Sequence, residues 1–249
     1  MSTNSVALEP ALGQRESDRL LFLFMTVLFL AVAMAGFAPR SAAILTGRTP
    51  VPPLVIHLHV AVMVSWMLLL VVQTSLVSTG RMRLHRALGT ISFGLAPVLF
   101  AVLTTAAIVR YADLTRAGLG PFASNILLVQ IRAIVLFPLF YLWAISARVR
   151  DPATHKRMML LATLVLLDAA IARMAWLPGR NSAITYDDVH AYLLLVLAPA
   201  LVFDWVHLGR VHRAYVLGLA ILAPWILATH FLWNLPWWHA TAARLMGMG

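Results

Sequence analysis

Residues 57–74 read HLHVAVMVSWMLLLVVQT. The stretch carries no formal charge and is apolar for nearly the roughly 20 helical residues that cross a hydrocarbon core about 30 Å thick. Its apolar residues run continuously instead of alternating, which excludes a strand of a membrane barrel. A helix is the element that satisfies its own backbone in lipid, and it is the form expected here. Two histidines, a tryptophan and a glutamine within such a helix need a reason.

The rest of the chain is of the same kind. Of its 249 residues, 61% are hydrophobic and 11% charged, and the mean hydropathy is +0.87. A soluble domain of this length has more charge to spread over its surface. Seven apolar runs are expected as spans: Leu20 to Ala38, Leu54 to Ser78, Ala87 to Val109, Phe122 to Ala147, Met158 to Leu177, Val189 to Val206 and Ala214 to Trp233. The expected fold is an all-α polytopic transmembrane bundle of seven helices. Residues 1–19 form a cytoplasmic tail, 20–233 the membrane domain, and 234–249 a periplasmic amphipathic tail.

Basic residues set the orientation. The side of the N-terminus holds Arg15, Arg19, Arg81, Arg83, Arg86, Arg148, Arg150, Lys156, Arg157, Arg210 and Arg213. The other side holds Arg40, Arg48, Arg110, Arg116, Arg180 and Arg244, so eleven against six places the N-terminus in the cytoplasm and the C-terminus outside. The net charge of +10 is then the positive-inside bias together with attraction to anionic membrane lipids, and no nucleic-acid partner is expected. A cleaved signal peptide is the rival reading of the first run, because AVAMAGFA offers small residues; Glu9, Glu16 and Asp18 before it argue for retention.

Several chemistries are excluded. Without cysteine there is no disulfide, thiolate metal site or iron–sulfur cluster. The single lysine, Lys156, lies in a loop, so no retinal Schiff base forms on the last helix. HExxH, Walker and serine-hydrolase patterns are missing.

What remains is a set of polar residues at membrane depth. His59, Trp66 and Gln73 are seven apart and share one helical face, whereas His57 points away. His59 lies roughly 8 Å below the outer rim, His190 at about the rim, and His230 roughly 5 Å below it. His85, His155, His207 and His212 stand at the inner ends of helices, so the histidines form two layers. Two layers of neutral imidazoles are what a pair of b-type haems requires, although rim histidines also serve simply as interfacial side chains. Arg132 and Asp168 have matched depths on neighbouring antiparallel helices and are expected to form an ion pair. That pair serves structure alone, or holds a carboxylate ligand, a quinone or a haem propionate, with Asn125, Gln130 and Arg173 as further donors and Asp187 and Asp188 as neutralisers of Arg173. There is also an internal echo: His59 precedes Gln73 by 14 positions and His190 precedes Asp204 by 14, each followed by a Gly-Arg and a His-Arg step, as in a parallel repeat.

HVAVMVSWMLLLVV, with His59, Met63 and Trp66, resembles the histidine-bearing helix of the ascorbate-reducible di-haem membrane cytochromes b. LHRALG, with His85 and Arg86, resembles their HR-x-x-G step; together the likeness covers about 35 residues. More broadly, LHRALG and DPATHKRMMLLATL are similar to features of a family of bacterial multi-pass inner-membrane proteins without an assigned activity. The resemblance implies location in a bacterial inner membrane. The leading expectation is a haem-b electron carrier or quinone-linked redox subunit working with respiratory-chain proteins. Its haems would be held by His59 with His190 outside and His85 with His155 inside, with Trp66, Gln73, Arg132 and Asp168 lining the sites. The alternative is a non-redox transporter or assembly factor, with zinc or copper bound by His59, His190 and His230.

Overall fold

The computed structural model describes residues 3–179 and 186–248, with side chains from Glu16 onward. Every regular element among them is an α-helix: α1 (Thr3–Leu45), α2 (Leu54–Ser78), α3 (Met82–Gly89), α4 (Ile91–Arg116), α5 (Gly120–Ala147), α6 (Pro152–Leu164), α7 (Asp168–Arg173), α8 (Asp187–Leu208), α9 (Arg213–Leu232) and α10 (Pro236–Leu245).

Six of these are long and apolar enough to cross a membrane: Glu16–Leu45 of α1, then α2, α4, α5, α8 and α9. They form a ring in the order α1, α2, α4, α5, α9, α8 and back to α1, with α6 and α7 inside it. Each ring helix turns large apolar side chains outward, such as Leu58, Leu68 and Val72 on α2 and Val202, Trp205 and Val206 on α8. In lipid that surface is solvated by acyl chains. The chain is a multi-pass membrane protein on this evidence of length, composition and outward apolar surface.

The centre differs from the sequence expectation. Instead of one helix over Met158 to Leu177, α6 starts earlier, at Pro152, and stops at Leu164. Asp151 caps it, accepting from the Thr154 amide at 3.0 Å and the Thr154 hydroxyl at 2.7 Å. At Val165–Leu167 the backbone tightens, with Leu166 N donating to Thr163 O (3.1 Å) and Leu167 N to Leu164 O (2.9 Å), and α7 restarts at Asp168. Residues 160–168 are all buried, as expected of a helix surrounded by others.

Two glycines set how closely the ring approaches this core. A Cβ on Gly36 of α1 would lie 2.3 Å from the Ala170 carbonyl oxygen of α7, and one on Gly218 of α9 would lie 2.2 Å from the Leu161 Cδ1 of α6. The AMAGFA segment therefore serves helix packing.

Three other boundaries move. α1 is longer than the run from Leu20 to Ala38 at both ends. The expected third helix is two, α3 and α4, meeting at Thr90, so His85 sits on a separate eight-residue helix. The C-terminal tail contains α10, docked on α5 by Trp238, whose indole N–H donates to the Ser124 carbonyl at 2.8 Å. Asn125 holds the turn into α10, exchanging hydrogen bonds with the Asn234 side chain (2.7 Å) and amide (3.1 Å).

Candidate functional site

Asp18 of α1 meets Lys156 of α6 at the end of the bundle nearest the N-terminus, here the proximal end. The opposite, distal end carries the start of α5 and α8 and the finish of α4, α7 and α9.

In the distal half, three elements bring Arg132 (α5), Asp168 (α7) and His190 (α8) together. Arg132 is fully buried and the other two are 3% exposed. Arg132 Nη2 donates to Asp168 Oδ2, and its Nη1 donates to His190 Nε2 at 2.6 Å. A guanidinium only donates, so this His190 nitrogen is an acceptor and the ring is neutral, with its proton on Nδ1. The ion pair was legible from depth; the imidazole on its other side was not. Tyr186 braces the cluster, its hydroxyl donating to the Asp168 carbonyl at 3.4 Å and its ring lying edge-on to His190 at 5.3 Å. Arg132 Nε, Asp168 Oδ1 and His190 Nδ1 are buried with no protein partner. Nearer the rim, His230 pairs with Asp187 at 2.8 Å. Asp187 is thus directed to His230, and the Arg173 guanidinium lies 4.6 Å over the Phe37 ring.

The stripe on α2 faces inward as its spacing requires: Trp66 and Gln73 are buried, His59 partly so, and His57 is exposed. Its members do different things. Trp66 ties α2 to the core, donating to Thr163 Oγ1 at 3.1 Å and meeting Phe137 and Tyr141 edge-on at 5.1 and 5.7 Å. Gln73, with its amide turned to suit its neighbours, donates to His85 Nδ1 (2.5 Å) and the His85 carbonyl (2.9 Å) and accepts from Gly89 N (3.1 Å). His59 Nδ1 is buried without a protein partner, within electrostatic range of Arg173.

The proximal half holds a second buried ion pair, which the sequence reading missed. Arg157 of α6 grips Asp204 of α8 with both Nε (2.9 Å) and Nη2. Asp204 also accepts from the His212 amide at 3.1 Å. Arg213 adds a bond to Asp151 at 2.9 Å; together with the Thr154 hydroxyl and amide, which act most strongly, it holds the Asp151 carboxyl well below the usual range. His155 Nδ1 donates to the Ala144 carbonyl at 2.8 Å, and His85 lies within electrostatic range of it. Burial keeps the His85 and His212 imidazoles below their ordinary pKa.

No family model, curated protein or solved structure matches the chain. Geometry alone must carry the reading.

A bis-histidine haem needs two free imidazole lone pairs facing one iron. At the distal end His190 does not fit, because its lone pair is directed at Arg132. At the proximal end His155 has the arrangement of a ligand, a carbonyl on Nδ1 and a free Nε2, but the Nδ1 lone pair of His85 is taken by Gln73. Among the described residues no group of three His, Asp or Glu side chains converges in a metal-binding arrangement. His190 and His230 of the expected zinc or copper set face Arg132 and Asp187 instead.

Proposed function

We propose that this chain is a seven-span transport protein of the bacterial inner membrane. Its N-terminus is inside and its C-terminus outside, and it moves protons, alone or with a solute, through the Arg132–Asp168–His190 site. The observation that carries the reading is this ion pair with a neutral imidazole on it, buried to 3% or less beside the break between α6 and α7. Charges at membrane depth are costly and concentrate on ion and substrate pathways, and discontinuous helices build such sites in transporters.

The seventh span is α6 and α7 taken together. Lys156 meets Asp18 and Ala170 meets Gly36, so the segment runs parallel to α1. From Pro152 to Arg173 it is long enough, at about 1.5 Å per residue, to reach roughly 30 Å, close to the hydrocarbon thickness. With α6–α7 counted, the chain crosses an odd number of times, and the basic bias at the proximal end supports placing that end in the cytoplasm.

The site has two arrangements available to it. In the one described, Arg132 bridges Asp168 and His190. A proton taken up by His190 at Nε2 removes that acceptor and sets two positive charges side by side. Arg132 then turns wholly to Asp168, where Oδ1 stands ready for a second bond. Release of the proton restores the bridge.

The test is proton uptake into proteoliposomes under an imposed potential, read by an enclosed pH dye. Wild type should acidify the lumen faster than empty vesicles, and Asp168→Asn and His190→Gln, compared at equal amounts of folded protein, should abolish the excess. Wild-type vesicles no faster than empty ones under any gradient would remove the reading. A b-type haem at the proximal end is a second reading, favoured by the free Nε2 of His155 alone and requiring Gln73 to release His85 Nδ1; a reducible Soret band in purified protein would establish it, and a colourless protein would end it.

A further inference from the structure

We propose that the distal mouth of the bundle is a binding site for a phosphate group, held by Arg40, Arg110 and Arg173 with His59 beneath them.

Three arginines arrive there from three helices. The contact of Gly36 with Ala170 sets α1 against α7, and next to it the Arg173 guanidinium stacks on Phe37, so Arg40, one turn further along α1, shares that face. α2 packs between α1 and α4, which places His59 between the helices carrying Arg40 and Arg110. Arg173 lies within electrostatic range of both other arginines and of His59. All three arginines are exposed, and His59 is partly buried with its Nδ1 unpartnered.

None of the three has a carboxylate partner among the described residues, and most carboxylates on this face are engaged: Asp113 with Arg116 at 3.3 Å, Asp187 with His230, Asp168 with Arg132. Residues 180–185, RNSAIT in sequence, add no acid. Like charges drawn together at a membrane surface repel unless an anion joins them. Planar guanidiniums suit the oxygens of a phosphate, and the inverted basic cluster is the opposite of what the positive-inside bias favours. The phosphate comes from a lipid headgroup or from a soluble solute. The site is independent of proton transport: undiminished flux in Asp168→Asn with anion binding intact would strike that reading alone.

The full-length protein, delipidated in detergent, is titrated with inorganic phosphate by calorimetry, and protein extracted with its native lipid is weighed by native mass spectrometry. Saturable phosphate binding, weakened at least tenfold in the Arg40→Gln/Arg110→Gln/Arg173→Gln variant and unchanged in Arg48→Gln/Arg244→Gln, supports a soluble phosphate ligand. Absence of that binding, with an anionic phospholipid retained by wild type and lost from the triple variant, supports a headgroup. Equal binding and equal lipid retention in wild type and triple variant overturn the proposal. Should the triple variant fail to fold, the single changes Arg40→Gln and Arg110→Gln, both on exposed positions, must each weaken binding several-fold, and no change in either refutes it.

Discussion

Gly36→Ala tests the packing that places α7. The added methyl would sit 2.3 Å from the Ala170 carbonyl oxygen, 2.6 Å from its Cα and 2.7 Å from its carbonyl carbon, whereas ordinary contact begins near 3.4 Å. All three obstacles are backbone, and Asp168, two residues away, is fastened to Arg132, so α7 cannot simply turn aside. α1 must retreat by about 1 Å, loosening Phe29 and Met25, which are fully buried. Overpacking of this kind costs about 1–3 kcal/mol. Two other glycines calibrate the effect. Gly218→Ala meets the end of a leucine side chain that can rotate, and Gly94→Ala meets nothing within 4 Å. Thermal unfolding in detergent should therefore rank Gly36→Ala as most destabilised, Gly218→Ala next and Gly94→Ala equal to or above wild type. Gly36→Ala unfolding together with Gly94→Ala would refute the close approach of α1 to α7.

Other consequences are as direct. Asp168→Ala or Arg132→Ala alone should destabilise by about 3–5 kcal/mol, whereas Arg132→Met/Asp168→Leu should be milder, and additive effects in a double-mutant cycle would show that the two residues do not act as a pair. Asp204→Asn should lower the yield of folded protein by leaving Arg157 buried and half-partnered, with Arg157→Met/Asp204→Leu restoring part of it; full yield from Asp204→Asn would mean the proximal pair is structurally idle. The folded-state pKa of His85 lies below its unfolded value, so the unfolded chain binds more protons, and stability falls as pH drops through about 6.5. Protection factors in α3, corrected for the intrinsic pH dependence of exchange, should fall over that window in wild type and stay flat in His85→Gln, and an identical response in both would assign it elsewhere.

The long ring helices were legible because lipid imposes one length and one composition on every span. Arg132–Asp168 was legible for a related reason: two opposite charges at equal depth on adjacent helices have few alternatives. The break at Val165–Leu167 was not, since LVLL contains neither proline nor glycine and nothing local ends the helix there. It arises from tertiary contacts, with Gly36 pressing on Ala170 and Arg132 drawing Asp168. Arg157 was read as a loop charge because the apolar run begins only at Met158, whereas Asp151 and Pro152 start the helix six residues sooner. The histidine layers exist as depths but do not act as sets: hydrogen bonds divide them, His190 to Arg132, His230 to Asp187, His85 to Gln73 and His155 to Ala144.

The buried position of α6 also constrains the order of biogenesis. Arg132 on α5 and Asp168 at the start of α7 are separated by α6 alone and can neutralise one another as a hairpin while the chain is still being made. Arg157 cannot, because its carboxylate, Asp204, follows 47 residues later at the far end of α8. At about 5–20 residues per second, that is a wait of roughly 2–9 s. During it the guanidinium has to remain at the headgroups of the proximal face, its stem lying along the apolar surface. The innermost helix is therefore among the last to reach its final depth, and the ring closes around it only once α8 and α9 have been delivered.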